Sequence, residues 1–393
     1  MAETKRRVYF DHMANTPPDA RVVQAITAAL PAAFGNPLNL HDFGQETASL
    51  IESAREKTAQ LIGAEPKEII FTSCGSESNN FAVRGVARAY QGKGKHIVSS
   101  SIEHFSVLYQ LKELEKEGFK VTYLPVDKYG LIDPAAVEAA LTPETILVTL
   151  THASNEIGTI EPIKEIGQKV KARGVIFHVD AVQTAGTIPL SVLDLKVDAL
   201  TLAANQFYGP TGIAVLYLKK GTRIIPLLVG GTQEDGKRAG AHNIAGIIGM
   251  GKAAELAALE MEARNKKLVP LRDKLLKVLP EKISEFFVTG HPIQRLPGHA
   301  SGSAKYVEGE SMSMFLNMEG IAVSTGSACV SKALKASHVL LATGVNPEDV
   351  HGSLVFSLGK DNTEADVDYV LEKLPPIVSR LREMSPLYQG KKG

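Results

Sequence analysis

Two loops of small residues in this chain carry the side chains best suited to chemistry. The first, Thr72-Ser73-Cys74-Gly75-Ser76, leads into Glu77-Ser78-Asn79-Asn80. Small residues that open a helix present free backbone N–H groups and the positive end of the helix dipole, so Ser73, Gly75 and Ser76 are candidates for holding a phosphate. An ordinary N-cap by Ser73 or Ser76 accounts for the same pattern. The second loop, Ser324-Thr325-Gly326-Ser327-Ala328-Cys329, surrounds a thiol with small residues and leaves it accessible, and Lys332 and Lys335 nearby favour its thiolate. Asp180 closes the apolar run Phe177-His178-Val179, where a carboxylate needs a partner to offset its burial. His104, in Ser101-Ile102-Glu103-His104, sits at a strand end, a place that suits a structural histidine as well as a ligand-facing one.

The elements that must position these groups follow from the hydrophobic pattern. A short strand is expected over Val8 to Phe10, then helices over residues 18–35 and 45–62, the second closing at Gly63. After that, apolar runs alternate with helical stretches: Ile69 to Phe71, His96 to Ser99, Val121 to Leu124, Ile146 to Leu150, Val175 to Val179, Ala199 to Leu202 and Ile213 to Leu218. Strands apolar throughout and separated by helices indicate an α/β fold with a mostly parallel sheet covered on both faces. Ligands of such sheets bind beyond the carboxyl ends of the strands. Near residue 250 the character changes to a long helical run, residues 249–279, expected to break at Pro270, followed by shorter elements. The division expected is an N-terminal segment 1–20 that joins the small domain, a large domain over 21–250 and a small α+β domain over 251–393 carrying the Cys329 loop.

Composition restricts the function classes. The chain has 393 residues, 44% hydrophobic and 22% charged, and its 43 Lys+Arg balance its 43 Asp+Glu. A net charge of zero gives no electrostatic case for nucleic acid or an anionic membrane surface. No run of about 18 apolar residues occurs, and the charged start MAETKRR leads into no apolar signal segment, so a cytoplasmic location is the expectation. Cys74 and Cys329 are the two cysteines, too few and too far apart for a disulfide framework or a metal finger.

Five stretches, taken in order, resemble the cysteine desulfurases (NifS/IscS-like), which are class V aminotransferases of the fold-type I pyridoxal phosphate (PLP) enzymes. They are Phe71 to Asn80, Ser101 to His104, Thr149 to Thr159, Phe177 to Gln183 and Ile321 to Cys329. The resemblance implies a PLP-transferase fold and a homodimer. It also assigns roles: the Ser73–Ser76 loop at the cofactor phosphate, His104 stacked on the ring, Asn155 and Gln183 on the ring oxygen, Asp180 on the ring nitrogen. Cys329 would be the cysteine that takes sulfur as a persulfide.

The resemblance also implies a lysine that carries the cofactor as a Schiff base, within Leu202-Ala203-Ala204-Asn205-Gln206-Phe207-Tyr208-Gly209-Pro210-Thr211-Gly212. Gln206 occupies its place, and no lysine lies between Lys196 and Lys219. An amide is planar and non-basic, so it forms no imine and shuttles no proton. Ala203 and Asn205 stand where the family has a serine and a histidine near the phosphate. In Arg238-Ala239-Gly240-Ala241-His242-Asn243 the family's partner-donated threonine is Ala241, and Val355 replaces the arginine that grips the substrate carboxylate.

The expectation is therefore a desulfurase-like protein without ordinary lysine-dependent catalysis. Cys329 would serve sulfur relay, or would ligate an iron–sulfur cluster or metal with partner groups. Two alternatives stand beside this: a PLP enzyme that binds its cofactor non-covalently, and a pseudoenzyme partner of an active paralogue. A sulfur acceptor or scaffold protein is the implied partner, with no nucleic acid and no membrane.

Overall fold

A computed structural model describes residues 6–326, 336–385 and 388; Cys329 lies outside the described residues. In chain order the elements begin with β1 (Val8–Phe10), α1 (Ala20–Ala32), α2 (Asp42–Ile62), β2 (Ile69–Thr72), α3 (Gly75–Tyr90), β3 (His96–Ser100), α4 (Phe105–Lys116) and β4 (Lys120–Leu124). Next come α5 (Pro134–Ala140), β5 (Thr145–Thr151), α6 (Ile163–Ala172), β6 (Ile176–Asp180), α7 (Val192–Leu195), β7 (Ala199–Ala203) and β8 (Ala214–Leu218). The rest are α8 (Ile244–Lys282), β9 (Phe286–Val288), β10 (His299–Ala304), α9 (Gly309–Met318), β11 (Ile321–Val323), α10 (His338–Ala342), α11 (Pro347–Val350), β12 (Ser353–Ser357) and α12 (Glu364–Met384).

Strands β2 to β8 form one seven-stranded sheet in the order β2-β8-β7-β6-β5-β3-β4. Only β8 runs against its neighbours, β2 and β7; the other pairs are parallel. The uninterrupted apolar character of these strands has a direct cause, since successive residues serve cores on opposite faces. Ile97 and Leu147 pack with Val86 of α3 and Leu111 of α4, whereas the next residues, Val98 and Val148, join a core built from α2, α6 and the start of α8. Strands β2, β3, β5, β6 and β7 consequently end at the same sheet edge, on Thr72, Ser100, Thr151, Asp180 and Ala203.

A second core gathers around the antiparallel sheet β12-β10-β9, with Leu271, Leu275 and Leu279 of α8, Met312 of α9 and Leu371 of α12. Strand β1 pairs in parallel with β11, Val8 opposite Ile321, so the start of the chain belongs to this second core.

Helix α8 departs from expectation. It continues through Pro270 and Pro280 as one 39-residue helix. Proline withholds one N–H from the carbonyl four residues back. Here Pro270 and Lys266 lie on the exposed face, so the freed carbonyl is on the solvent side, while Leu268 and Leu271 are buried on the other. The first half of α8 serves the large core and the second half the small one, so a single rod joins both. Among the described residues, no helix is long and apolar enough to cross a membrane.

Candidate active site

A cleft of about 390 Å³ opens between the carboxyl edge of the large sheet and strand β12. Gly75, Ser76, His104, Asn155, Asp180, Gln183, Asn205 and Gln206 all line it, although they are spread across more than 130 positions of sequence. Cys329 belongs to no described part of the wall; Ser324, Thr325 and Gly326, which lead to it, are in the lining.

The floor is built on Asp180, the last residue of β6. Its carboxylate accepts the Val182 N–H at 3.0 Å and the Asn79 Nδ2 amide at 2.7 Å. Burial pushes its pKa up, against the pull of His104, the Val182 N–H and Asn79. Asn79 also donates to Ser106 Oγ at 2.9 Å, and Ser106 in turn lies 2.7 Å from His104 Nδ1, which accepts the Ser106 backbone N–H at 3.1 Å. A single hydrogen-bonded chain, Asp180–Asn79–Ser106–His104, thus fixes the acid and the imidazole relative to each other. Because Nδ1 accepts from the backbone, the neutral ring carries its proton on Nε2.

Asn79 and Ser106 were not among the residues singled out from sequence. One signal was available for Asn79. It lies four residues after Gly75, on the face of α3 that also holds Val83 and Val86, and an amide that is 1% exposed on such a face needs partners.

The loop before α3 is more open than an ordinary cap. Cys74 is the N-cap residue, and it makes no side-chain capping bond. Neither Ser73 nor Ser76 fills that role. Ser73 instead turns away from the cleft, its N–H donating to Glu77 Oε2 at 2.7 Å and its hydroxyl bonded to the same oxygen, and it lines a separate small pocket. Of the residues assigned to the phosphate, Ser73 is the one this capture holds off the cleft wall. Arg238 pairs with Glu77 at 3.0 Å; although burial opposes it, the Arg238 and Ser73 bonds hold the Glu77 carboxyl below its ordinary range. The carboxylate in the first turn is thereby neutralised, and the α3 N-terminus keeps its attraction for an anion. A Cβ at Gly75 would lie 2.9 Å from Val182 Cγ2, so a bulkier residue there would crowd the floor.

Gln206 follows β7 in a single 3-10 turn, half-buried. Its Nε2 donates to the carbonyls of Met13, at 3.1 Å, and Ala14, at 3.3 Å. Gln183 Nε2 donates to the same Met13 carbonyl at 3.2 Å. The two amides therefore hold the segment that follows β1 against the cleft, helped by Thr16, whose N–H and hydroxyl both reach the Asn205 carbonyl.

Opposite the sheet edge, β12 carries the remaining wall. Val355 is 4% exposed and exchanges backbone bonds with Ser324, while Asp11 bridges to Ser357 and Gly326 N–H reaches Ser353 Oγ at 3.3 Å. Asn155 lines the cleft, and its carbonyl accepts from His299 Nε2 at 3.0 Å. Beside it Glu156 is hydrogen-bonded by the Ser337 hydroxyl, and burial pushes its pKa up to about 7. Burial likewise raises Asp11 to about 6, and its Oδ1 is buried without a partner.

The side chains present fit a PLP ring and phosphate in three respects. Asp180 is a buried carboxylate with no lysine or arginine in the described lining to occupy it, as a protonated ring nitrogen requires. Gln183 Oε1 is buried without a partner. The open N-terminus of α3, with Gly75 and Ser76, faces the same space. No lysine is present among the described residues of the lining to serve as a covalent anchor. Among the described residues, no cluster of three or more His, Cys, Asp or Glu side chains is placed to hold a metal ion.

Comparison with known proteins gives the same family by three routes. The aminotransferase class-V family model matches residues 8–370. "Cysteine desulfurase IscS" of Dictyoglomus turgidum is 50% identical over 385 residues, spanning 98% of each chain. "Cysteine desulfurase IscS" of Methanosarcina thermophila is 49% identical over 382 residues, 97% of this chain and 94% of that protein. A solved "NIFS-LIKE PROTEIN" superposes with a TM-score of 0.90 at 38% identity, covering 96% of this chain and 100% of the other. The apo structure of a cysteine desulfurase from Thermococcus onnurineus NA1 gives 0.85 at 26% identity, with 95% of each chain covered. On sequence, fold and length alike, the chain belongs to the aminotransferase class-V family, in its cysteine desulfurase branch.

Proposed function

We propose that this protein handles sulfur on a cysteine desulfurase scaffold without lysine-dependent PLP catalysis, with Cys329 as the sulfur-carrying group. The observation that carries this reading is Gln206 at the Schiff-base position, its amide spent on the Met13 and Ala14 carbonyls. Ala203, Asn205 and Val355 line the same cleft and remove the neighbouring phosphate and carboxylate contacts with it. With neither a covalent anchor nor an arginine clamp, L-cysteine has no route to release its sulfur here.

Sulfur would arrive instead as a persulfide on another protein. The Cys329 thiolate attacks the outer sulfur of the donor persulfide; the new S–S bond forms as the donor's S–S bond breaks, and the donor leaves as a thiolate. No oxidant is consumed, since the sulfur is passed at constant oxidation state. Ligation of an iron–sulfur cluster by Cys329 with partner groups would use the same thiol, and the family's link to sulfur acceptors and scaffold proteins accommodates both.

A second feature favours non-covalent cofactor binding at the same cleft: the Asp180–Asn79–Ser106–His104 chain is complete and has no other evident purpose. Asp180 would hold the ring nitrogen's proton, His104 would cover the ring face, Asn155 and Gln183 would meet the ring oxygen, and Gly75 and Ser76 would take the phosphate. When bound, PLP supplies an electron sink for bonds at the amino-bearing carbon.

Family membership and the surface support dimerisation. Leu30, Phe34, Leu40 and Phe43, at the end of α1 and the start of α2, are between 57% and 93% exposed, and the two phenylalanine rings meet at a tilt with centroids 5.3 Å apart. A homodimer in the cytoplasm is the setting proposed; an active paralogue across that face is the other pairing to look for.

Sulfide release and persulfide loading separate these readings. Incubation with L-cysteine, PLP and reductant should release no sulfide above background, while a persulfide donor should add one sulfur atom to Cys329. Turnover of L-cysteine that depends on Cys329 would refute the proposal.

A further inference from the structure

Gln206 is gripped on both sides by one residue. Thr16 donates its N–H and its hydroxyl to the Asn205 carbonyl, at 2.9 and 2.8 Å, and its Oγ1 accepts the Tyr208 N–H at 2.7 Å. Tyr208 completes the turn in the left-handed region, at φ 67°, and its hydroxyl accepts the Lys360 N–H at 2.7 Å. The Gln206 side chain is fixed as firmly, since Nε2 donates to the carbonyls of both Met13 and Ala14. Those carbonyls only accept, so the nitrogen is the amide atom that must face them. Met13 is itself anchored, its carbonyl shared with Gln183 Nε2 at 3.2 Å and its N–H donated to Ser357 Oγ at 2.9 Å. Turning the amide over would break two bonds and set its oxygen against two others. Gln206 therefore meets an occupant of the cleft it lines with Oε1, an acceptor that has no proton to give. The residue is half-buried, and among the described residues Oε1 is not sealed away as Gln183 Oε1 is.

Resting on the reading that this cleft takes a PLP-type ring, we propose that it selects the amine form of that ligand, pyridoxamine phosphate, over the aldehyde, with Gln206 Oε1 as the selecting atom. Ring nitrogen, ring oxygen and phosphate are common to both forms, so Asp180, Asn155 and the α3 N-terminus do not tell them apart. The forms differ only at the carbon that a lysine in place of Gln206 would hold. An aldehyde brings an oxygen there, and two acceptors that face each other lose their water without gaining a bond. A primary amine is cationic near neutral pH and donates a charge-assisted bond to the amide oxygen. A lysine favours the aldehyde because it stores it as an imine, which an amide cannot do. The class of ligand is therefore a ring phosphate that carries a primary amine.

The test reads binding, not turnover. Calorimetric titration of the full-length protein would compare pyridoxamine phosphate, deoxypyridoxine phosphate, in which a methyl group replaces the amine-bearing carbon, and PLP, the last read by its displacement of pyridoxamine phosphate. Pyridoxamine phosphate should bind at least about tenfold tighter than either of the others, the difference one charge-assisted bond makes. Gln206→Met keeps the side-chain length and removes the acceptor, so it should bring pyridoxamine phosphate down to the affinity of deoxypyridoxine phosphate. Deoxypyridoxine phosphate makes no use of Oε1, and its retained binding shows that the variant's site is intact. PLP or deoxypyridoxine phosphate bound as tightly as pyridoxamine phosphate by the unaltered protein overturns the proposal while leaving the ring site in place. A preference that survives undiminished in Gln206→Met overturns it as well. Failure of all three probes removes the ring reading itself and this proposal with it.

Discussion

Replacing Gln206 with lysine tests whether the cleft is a cofactor site that lacks only its anchor. In the folded chain the Gln206 amide donates two bonds, to the Met13 and Ala14 carbonyls at 3.1 and 3.3 Å. Each is worth roughly 0.5–1.5 kcal/mol, so losing both costs about 1–3 kcal/mol, which a protein of this size tolerates. Gln183 and Thr16 continue to hold the same segment. The new amine would lie in a cleft that already has Asp180, His104 and an open helix N-terminus.

Gln206→Lys with added PLP should therefore yield a visible absorbance band and, after borohydride reduction, a cofactor fixed to residue 206 by mass spectrometry. Turnover of L-cysteine should remain low, because Val355 still provides no carboxylate clamp. A bidentate arginine pair contributes two charge-assisted bonds of about 1.5–3 kcal/mol each, so Val355→Arg added to Gln206→Lys should raise kcat/KM roughly 10²–10⁴-fold. Covalent attachment that fails in folded Gln206→Lys protein would refute the reasoning, as would full desulfuration by the single variant.

Further outcomes follow from the same geometry. Asp180→Asn removes the carboxylate that would pair with the ring nitrogen and should weaken PLP binding by roughly 10–100-fold in equilibrium dialysis; unchanged affinity would place the ring elsewhere. Glu156→Gln should alter the pH dependence of stability. The Glu156 carboxyl is raised from its ordinary 4.5 to about 7, so between those values the unfolded chain has lost a proton that the folded chain keeps, and stability falls as pH rises through the window. Denaturant melts at about pH 5 and about pH 7 should show the variant losing less stability across that interval than the unaltered protein, by about 1 kcal/mol or more. Phe43→Glu, on a ring that is 57% exposed and packed against Phe34, should shift the protein toward monomer in sedimentation.

The large sheet and its functional edge were legible because local pattern and global role coincide there. Strands such as Ile97-Val98 and Leu147-Val148 are apolar on both faces, since each face is covered. What stayed hidden depends on partners distant in sequence. Ser73 looked like a phosphate ligand, yet Glu77 captures it, and Glu77 is held by Arg238, 161 positions away. Asn79 links Asp180 to Ser106 across 101 and 27 positions, which no local spacing reveals. The continuity of α8 through Pro270 was illegible for a different reason. A proline's cost depends on whether the freed carbonyl reaches water, and that is decided by which face the core covers.

The central claim is that sulfur reaches Cys329 from a persulfide and not from L-cysteine. It is tested most directly by intact-mass measurement of protein incubated in parallel with L-cysteine plus PLP and with a protein persulfide, in unaltered, Cys329→Ser and Cys74→Ser forms. The account predicts one added sulfur atom only with the persulfide donor, lost in Cys329→Ser and kept in Cys74→Ser, although the Cys74 thiol is exposed in the cleft. Loading from L-cysteine, accompanied by alanine release, would contradict it.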